Sequence, residues 1–347
     1  MIEFVGKPIE NQEEPEKKVD YNAKGLSLVK YGRYRDAARQ FRKAFDANPY
    51  DSDACYNLGT SLEAIGEYEE AAIMFKQAID LTPSAMLSHF HLGNIMLNLQ
   101  EYGEALKNFE QVVEIRPTFQ DGYYNLGFCL ARLGRHEEAI AQYQKVIAMD
   151  SGSADAYNNM GFSLDRLERY EEAVKAYTKA IELAPDYSHA YYNLGNALIQ
   201  VKRFEEATEA FKKAVDLDKS LWQAASNLGM LLFGLNHHEE ALKYLRHAAS
   251  AEPQEPEFHH IYGTALIHLE KYSEATEAFK KLHAMQPDIP TVAYVLAHLH
   301  GIQNQDTEAL EMLTKSINMD STYKAKAVSD EAFSHLRDNP AFVAIVG

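Results

Sequence analysis

An all-α chain of stacked helical hairpins is what this sequence predicts, and three observations predict it. Glycine recurs in steps of 34 at Gly25, Gly59, Gly93, Gly127, Gly161, Gly195, Gly229 and Gly263, with Ala297 as ninth member, so eight of the 18 glycines share one register. Alanine keeps the same step at Ala37, Ala71, Ala105, Ala139, Ala173, Ala207, Ala241, Ala275 and Ala309 without a miss. Proline closes the unit at Pro49, Pro83, Pro117, Pro185, Pro253 and Pro287. A fixed period of this length marks supersecondary units that bury their apolar faces on one another. For 347 residues the length prior is about two domains, but a solenoid grows in one dimension and needs only one.

With Lys18 as position 1, units start at residues 18, 52, 86, 120, 154, 188, 222, 256 and 290. The glycine is position 8 and the alanine position 20, so a first and a second helix would cross with small residues between them. Position 24 carries Phe41, Phe75, Phe109, Tyr143, Tyr177, Phe211 and Phe279, with Leu245 and Leu313 standing in, to fill the gap beside the small pair. Position 15 is Gly32, Gly66, Gly134, Asn236 or Asn304 in five copies, residues that tolerate a left-handed helix end. Position 17 opens the second helix with Tyr34, Tyr68, Tyr102, His136, Tyr170, Phe204, His238 and Tyr272, Asp306 being the exception. The position-32 proline stops that helix because it lacks an N–H and fixes φ.

This pattern resembles the tetratricopeptide repeat (TPR), whose 34-residue helix–turn–helix signature it matches from Lys18 to Tyr323. The resemblance implies a right-handed superhelical α-solenoid of nine repeats. Departures fall at the ends: repeat 1 has Lys24 where others have leucine, and repeat 9 loses the glycine, the position-17 aromatic and the proline. Terminal repeats are expected to be atypical because one face meets solvent.

Residues 1–17 lack helical apolar spacing and are expected to form a disordered tail. They also lack a basic-then-apolar signal pattern. From 324 to 347 the repeat stops, yet Ala332, Phe333, Leu336, Phe342, Ile345 and Val346 keep helical spacing. Ser329-Asp330-Glu331 reads as a helix start and Asn339-Pro340 as a break before a last turn, making a C-terminal helical cap that resembles the tail after some bacterial TPR arrays.

A net charge of −17 argues against nucleic acid or an anionic membrane as main partner and favours a neutral or basic protein or peptide. No apolar run of about 18 residues is present, so no membrane insertion is expected. Cys55 and Cys129 read as small packed residues, consistent with a cytoplasmic location. Oligomeric state is not legible.

No phosphate loop, dinucleotide fingerprint or Cys-x-x-Cys occurs. His136-Glu137 and His238-Glu239 begin a zinc-protease motif, but the fifth residue is Ile140 or Leu242. Carboxylates such as Glu171 and Glu172 sit on a regularly spaced helix face rather than in a convergent pocket, so no catalysis and no cofactor are expected. Ten of 14 histidines lie from His237 onward. His260 and His268 lie about 12 Å apart along a helix, too far to share a metal; a groove end that charges near pH 6 is the more modest reading.

What the TPR resemblance implies about binding concerns the first helices, whose positions 2, 5, 6, 9, 12 and 13 line a concave groove in that family. Position 6 is Asn57, Asn125, Asn159, Asn193 and Asn227; position 2 is Asp53, Asp121 and Asp155. Tyr56, Tyr124, Asn158 and Tyr192 stand at position 5, with Phe128, Phe162 and Asn196 at position 9. Amides that donate and accept suit the backbone of an extended peptide. The Asp-and-Asn ladder resembles the TPR arm of the O-linked N-acetylglucosamine transferases; consensus asparagines that bond within the helix pair are the structural alternative. No Lys or Arg occupies position 5, which disfavours the carboxylate clamp of chaperone-binding TPR domains, whereas aromatic faces and carboxylates suit Lys and Arg side chains. The expected function is a non-catalytic scaffold binding an extended segment of a partner protein. The alternatives are a recruiting arm for a separate enzyme such as a glycosyltransferase, and a secretion or assembly chaperone.

Overall fold

The computed structural model describes residues 20–347, so the expected N-terminal tail lies outside the described residues. Two compact units divide the chain, the first ending at Ser151 and the second beginning at Gly152. Four hairpins make up the described part of the first: α1 (Tyr21–Lys30) with α2 (Tyr34–Ala47), α3 (Ser52–Ala64) with α4 (Tyr68–Leu81), α5 (Met86–Asn98) with α6 (Tyr102–Ile115), and α7 (Gln120–Arg132) with α8 (His136–Met149). Five make up the second: α9 (Ala154–Arg166) with α10 (Tyr170–Leu183), α11 (Ser188–Gln200) with α12 (Phe204–Leu217), α13 (Trp222–Gly234) with α14 (His238–Ala251), α15 (Pro256–His268) with α16 (Tyr272–Met285), and α17 (Pro290–Ile302) with α18 (Asp306–Met319). Within each unit every helix packs on the next in chain order.

Each hairpin closes on the register read from the sequence. All nine position-20 alanines are fully buried. Against each glycine, however, lies the position-24 side chain rather than the alanine. A Cβ built on Gly161 would stand 2.7 Å from the Tyr177 ring, and one on Gly93 would stand 2.8 Å from Phe109. The missing side chain is the seat of the ring.

Between the helices the backbone turns left-handed at position 15 in every repeat. Gly32, Gly66 and Gly134 do so without steric cost, but Gln100, Glu168, Lys202, Asn236, Glu270 and Asn304 also have φ between 55° and 64°. A Schellman pair fixes the turn: Arg33 N–H donates to the Leu28 carbonyl and Gly32 N–H to that of Val29, and the same six-to-one bond recurs from Arg169 to Leu164 and from Arg203 to Leu198. Two helix-end hydrogen bonds hold side chains other than glycine in this region.

Neighbouring hairpins are tied on their second helices by ion pairs, Arg42–Glu70 at 2.6 Å in the first unit and Lys212–Glu240 at 2.9 Å and Arg246–Glu274 at 3.1 Å in the second. All are substantially exposed and individually weak. Cys55 and Cys129 are buried free thiols, and burial pushes the Cys129 thiol up to about 12. Among the described residues no helix is long and apolar enough to cross a membrane.

The C-terminal segment folds as α19 (Tyr323–Ser329), a 3-10 helix (Glu331–Leu336) and α20 (Pro340–Val346). Phe333, Leu336 and Phe342 pack with Tyr294, Ala297, Leu313 and Ile317 of repeat 9 in one buried cluster. The two expected starts are observed, Asp330 accepting from the Ala332 N–H and Asn339 from that of Ala341. Asp330 also receives the Tyr294 hydroxyl at 2.7 Å and His298 Nδ1 at 2.9 Å. Burial alone would raise its carboxyl, but the bonds from His298 and Tyr294 outweigh that and hold it at about 2.

Gly161→Leu is expected to cost roughly 1–3 kcal/mol in a urea melt by driving a side chain into Tyr177, with Ala173→Leu similar. Gly103 has nothing within 4 Å of its would-be Cβ. Gly103→Ala in the first turn of α6 should therefore stabilise by about 0.4–1 kcal/mol through the lower entropy of the unfolded chain; equal losses at both glycines would refute the packing role.

A carboxyl with a depressed folded pKa contributes stability that is present above its unfolded value and lost as pH falls through the folded one. The Asp330 cluster should therefore weaken between about pH 4 and pH 2, by at most about 2 kcal/mol. Melts across that range should show a shallower dependence for Asp330→Asn than for wild type.

Candidate functional site

The first-helix residues singled out from the sequence sort into three groups. Asp53, Asp121 and Asp155 at position 2 are exposed at the starts of α3, α7 and α9. Asn57, Asn125, Asn159, Asn193 and Asn227 at position 6 are half-buried, as are Tyr56, Tyr124, Tyr192, Phe128 and Asn196, while Asn158 is buried and Phe162 is exposed.

The position-5 aromatics rest on the core. Tyr56 lies 6.0 Å from Phe75, Tyr124 6.1 Å from Tyr143 and Tyr192 6.1 Å from Phe211, centroid to centroid. Each therefore touches the position-24 ring that its own repeat seats on glycine. One part of each ring is structural and the rest faces outward.

The asparagines do not meet water alone, as an open ladder would require. In the first unit Asn57 Nδ2 donates to Asn22 Oδ1 at 3.0 Å and Asn125 Nδ2 to Asn94 Oδ1 at 3.0 Å. In the second, Asn193 Nδ2 donates to Asn158 Oδ1 at 3.0 Å and Asn227 Nδ2 to Asn196 Oδ1 at 2.7 Å. Every pair joins one first helix to the first helix of the preceding repeat, not the two helices of one hairpin. An amide has two N–H donors and an oxygen with two lone pairs, so a single bond fixes its orientation and leaves capacity for a ligand.

Repeat 3 departs from the row. His91 holds position 6, and its Nδ1 lies 2.7 Å from Glu63 Oε2 while its ring stacks on Phe75 at 5.2 Å. Tyr56 Oη lies 3.5 Å from Nε2 of the same ring. This histidine and Asn94 were not among the expected site residues, although stepping 34 from Asn57 reaches His91 and stepping 102 from Asn196 reaches Asn94. Asp165 at position 12 of repeat 5 is half-buried, and burial raises its carboxyl despite nearby Arg166.

Histidines in the second unit are divided between core and surface: His259 and His300 are buried, while His237, His260, His268 and His335 are exposed. His259 is buried with Nε2 3.0 Å from the Pro253 carbonyl oxygen, and His238 stacks against His268 at 5.0 Å beside Phe233. Among the described residues no group of three or more His, Cys, Asp or Glu could hold a metal ion.

If the amide pairs link repeats, Asn193→Ala and Asn158→Ala should be non-additive in stability. A double-mutant cycle by urea melts is expected to give a coupling of about 0.5–1.5 kcal/mol. Additive losses would mean that the bond carries no energy.

Among solved structures the chain is similar to PilF of Pseudomonas aeruginosa, 25% identical with a TM-score of 0.52, over 59% of this chain and 93% of that one. YrrB, described as a TPR protein with an unusual peptide-binding site, is 26% identical with a TM-score of 0.49 over 54% of this chain and 96% of its own. MamA from Desulfovibrio magneticus RS-1 is 24% identical with a TM-score of 0.46 over 48% and 94%. A comparison with curated proteins gives no match. Models of the tetratricopeptide repeat match residues 22–85, then 83–152, 120–186 and 152–220, then 200–265. With those matches spanning most of the chain, on hairpins that keep the period and packing described above, the chain belongs to the tetratricopeptide repeat proteins.

Proposed function

We propose that this chain is a non-catalytic interaction scaffold whose first-helix faces hold an extended segment of a partner protein. Membership of the tetratricopeptide repeat proteins supports protein interaction in general. The observation that carries the finer reading is the set of asparagine pairs. Side-chain amides held in one orientation by neighbouring amides have already lost rotamer freedom, so a peptide backbone that bonds to them within either unit meets preorganised partners. Asp53 and Asp121, one helical turn from the half-buried rings of Tyr56 and Tyr124, and the exposed Asp155 favour a neutral or basic segment. The ladder's likeness to the TPR arm of O-linked N-acetylglucosamine transferases belongs to the same proposal and identifies no enzyme partner.

Changing Asn57, Asn125, Asn193 and Asn227 to Ala should weaken binding more than tenfold, at about 0.5–1.5 kcal/mol per lost bond. Because each also ties two repeats, a stability loss is expected alongside, so affinity is compared at a temperature where circular dichroism shows the variant folded. Lys175 and Lys213, exposed on second helices, serve as the control. Lys179 and Lys212 do not, since they pair with Glu182 and Glu240. Unchanged affinity in a folded variant would place the partner on another face.

A further inference from the structure

Position 34, the residue before the first helix of the next repeat or, in repeat 9, the first residue of α19, meets position 5 of its own repeat in repeats 3, 5 and 9. In repeat 3 the Phe119 ring packs edge-on against Phe90 at 5.1 Å. In repeat 9 the Tyr323 ring lies 4.8 Å from Tyr294, and its hydroxyl is 2.7 Å from Thr291 Oγ1 at position 2. The protein thus shows an aromatic side chain at this place three times: ring on ring at Phe119 and Tyr323, and in repeat 5 a Tyr187 hydroxyl 3.5 Å from Asn158 Nδ2, with the Tyr323 phenol also reaching position 2.

Repeat 2 has the same frame with the ring left out. Position 34 is Ala85, position 5 is Tyr56 and position 2 is Asp53. All three line a hollow of about 520 Å³, walled also by Met86, Leu87 and Ile115. Leu87 is 45% exposed and Ile115 37% exposed, large apolar surface that a ring in the hollow would cover. In repeat 8 the bulkier Ile289 takes position 34, and the corresponding hollow beside His260 is smaller, about 300 Å³.

Building on the reading of the first-helix faces as the partner-binding surface, we propose that the repeat-2 hollow is a side-chain pocket for a tyrosine of the bound segment. Its ring would lie on Tyr56 as Tyr323 lies on Tyr294. Its hydroxyl would donate to the Asp53 carboxylate, an acceptor at the position where Thr291 meets Tyr323. Phenylalanine would take the same seat without the polar bond, and alanine would leave the hollow empty. The asparagine row reads backbone; this pocket would set the register of the segment.

The test uses the full chain with labelled Met, Leu and Ile methyls and three short peptides identical except for a central Tyr, Phe or Ala. Saturable shifts are expected at Met86, Leu87 and Ile115, with Tyr tighter than Ala by about tenfold or more and Phe between them. Asp53→Ala should erase the preference for Tyr over Phe while keeping that for Phe over Ala. Ala85→Phe should fill the hollow from within, as Phe119 does on Phe90, and abolish the shifts. Should that variant misfold, Leu87→Asp removes a wall by placing a carboxylate where repeats 2, 4 and 5 already carry aspartate. The proposal is overturned if the three peptides bind alike, if none binds, or if a folded Ala85→Phe or Leu87→Asp chain binds the Tyr peptide as wild type does. A longer partner segment that is sensitive to the asparagine changes but not to Ala85→Phe would overturn the pocket alone and leave the scaffold reading standing.

Discussion

One contact governs the rest of the hairpin in repeats 1 to 8: a position-24 side chain pressed onto a helix where no Cβ exists. With a ring centred there, the second helix can approach only at one height and one angle, which buries the position-20 alanine beside it and leaves position 5 to cover the outer edge of the ring. The outward-facing tyrosines are therefore held from beneath. Tyr56 is in place because Phe75 is, and Phe75 because residue 59 is glycine. Repeat 9 accepts Ala297 against Leu313, whereas repeat 7 keeps Gly229, whose would-be Cβ lies 2.7 Å from Leu245.

The turn between the helices shows how far context overrides residue preference. A left-handed residue other than glycine costs about 1–2 kcal/mol locally, yet Glu168, Lys202 and Glu270 adopt it with the same paired bonds that close on Gly32. The helix crossing is fixed on either side of the turn, so the backbone has no other route. Strain of this size is tolerable because the buried alanine and ring on each side recover more than is lost.

Period, small-residue register, helix starts at position 17 and the capping residues Asp330 and Asn339 were legible because each rests on a local rule that one residue type satisfies. The partners of the asparagines were not, because the paired side chains lie 35 or 31 residues apart, on either side of the 34-residue step, and so leave no single period of their own. A signal was nevertheless present. Where the preceding repeat has Asn22 or Asn158 at position 5, that residue accepts the bond; where it has Phe90 or Tyr192 there instead, Asn94 or Asn196 appears at position 9 and accepts it. The acceptor moves by one turn of helix and the amide pair survives. Reading position 6 alone missed this compensation, and it made the amides look more available to solvent than they are.

Repeats 1 and 2, and repeats 6 and 7, are thus laced along two edges by bonds of different kind. There the first helices are joined by neutral amides, whose strength hardly depends on ionic strength. Second helices are joined in places by exposed ion pairs, Arg42–Glu70 in one unit and Lys212–Glu240 and Arg246–Glu274 in the other, which mobile ions screen over roughly 8–10 Å under ordinary salt. Raising the salt concentration slackens one lacing and leaves the other taut. At those two junctions the spacing of the paired amides on the first helices therefore depends less on salt than the hold between the second helices behind them.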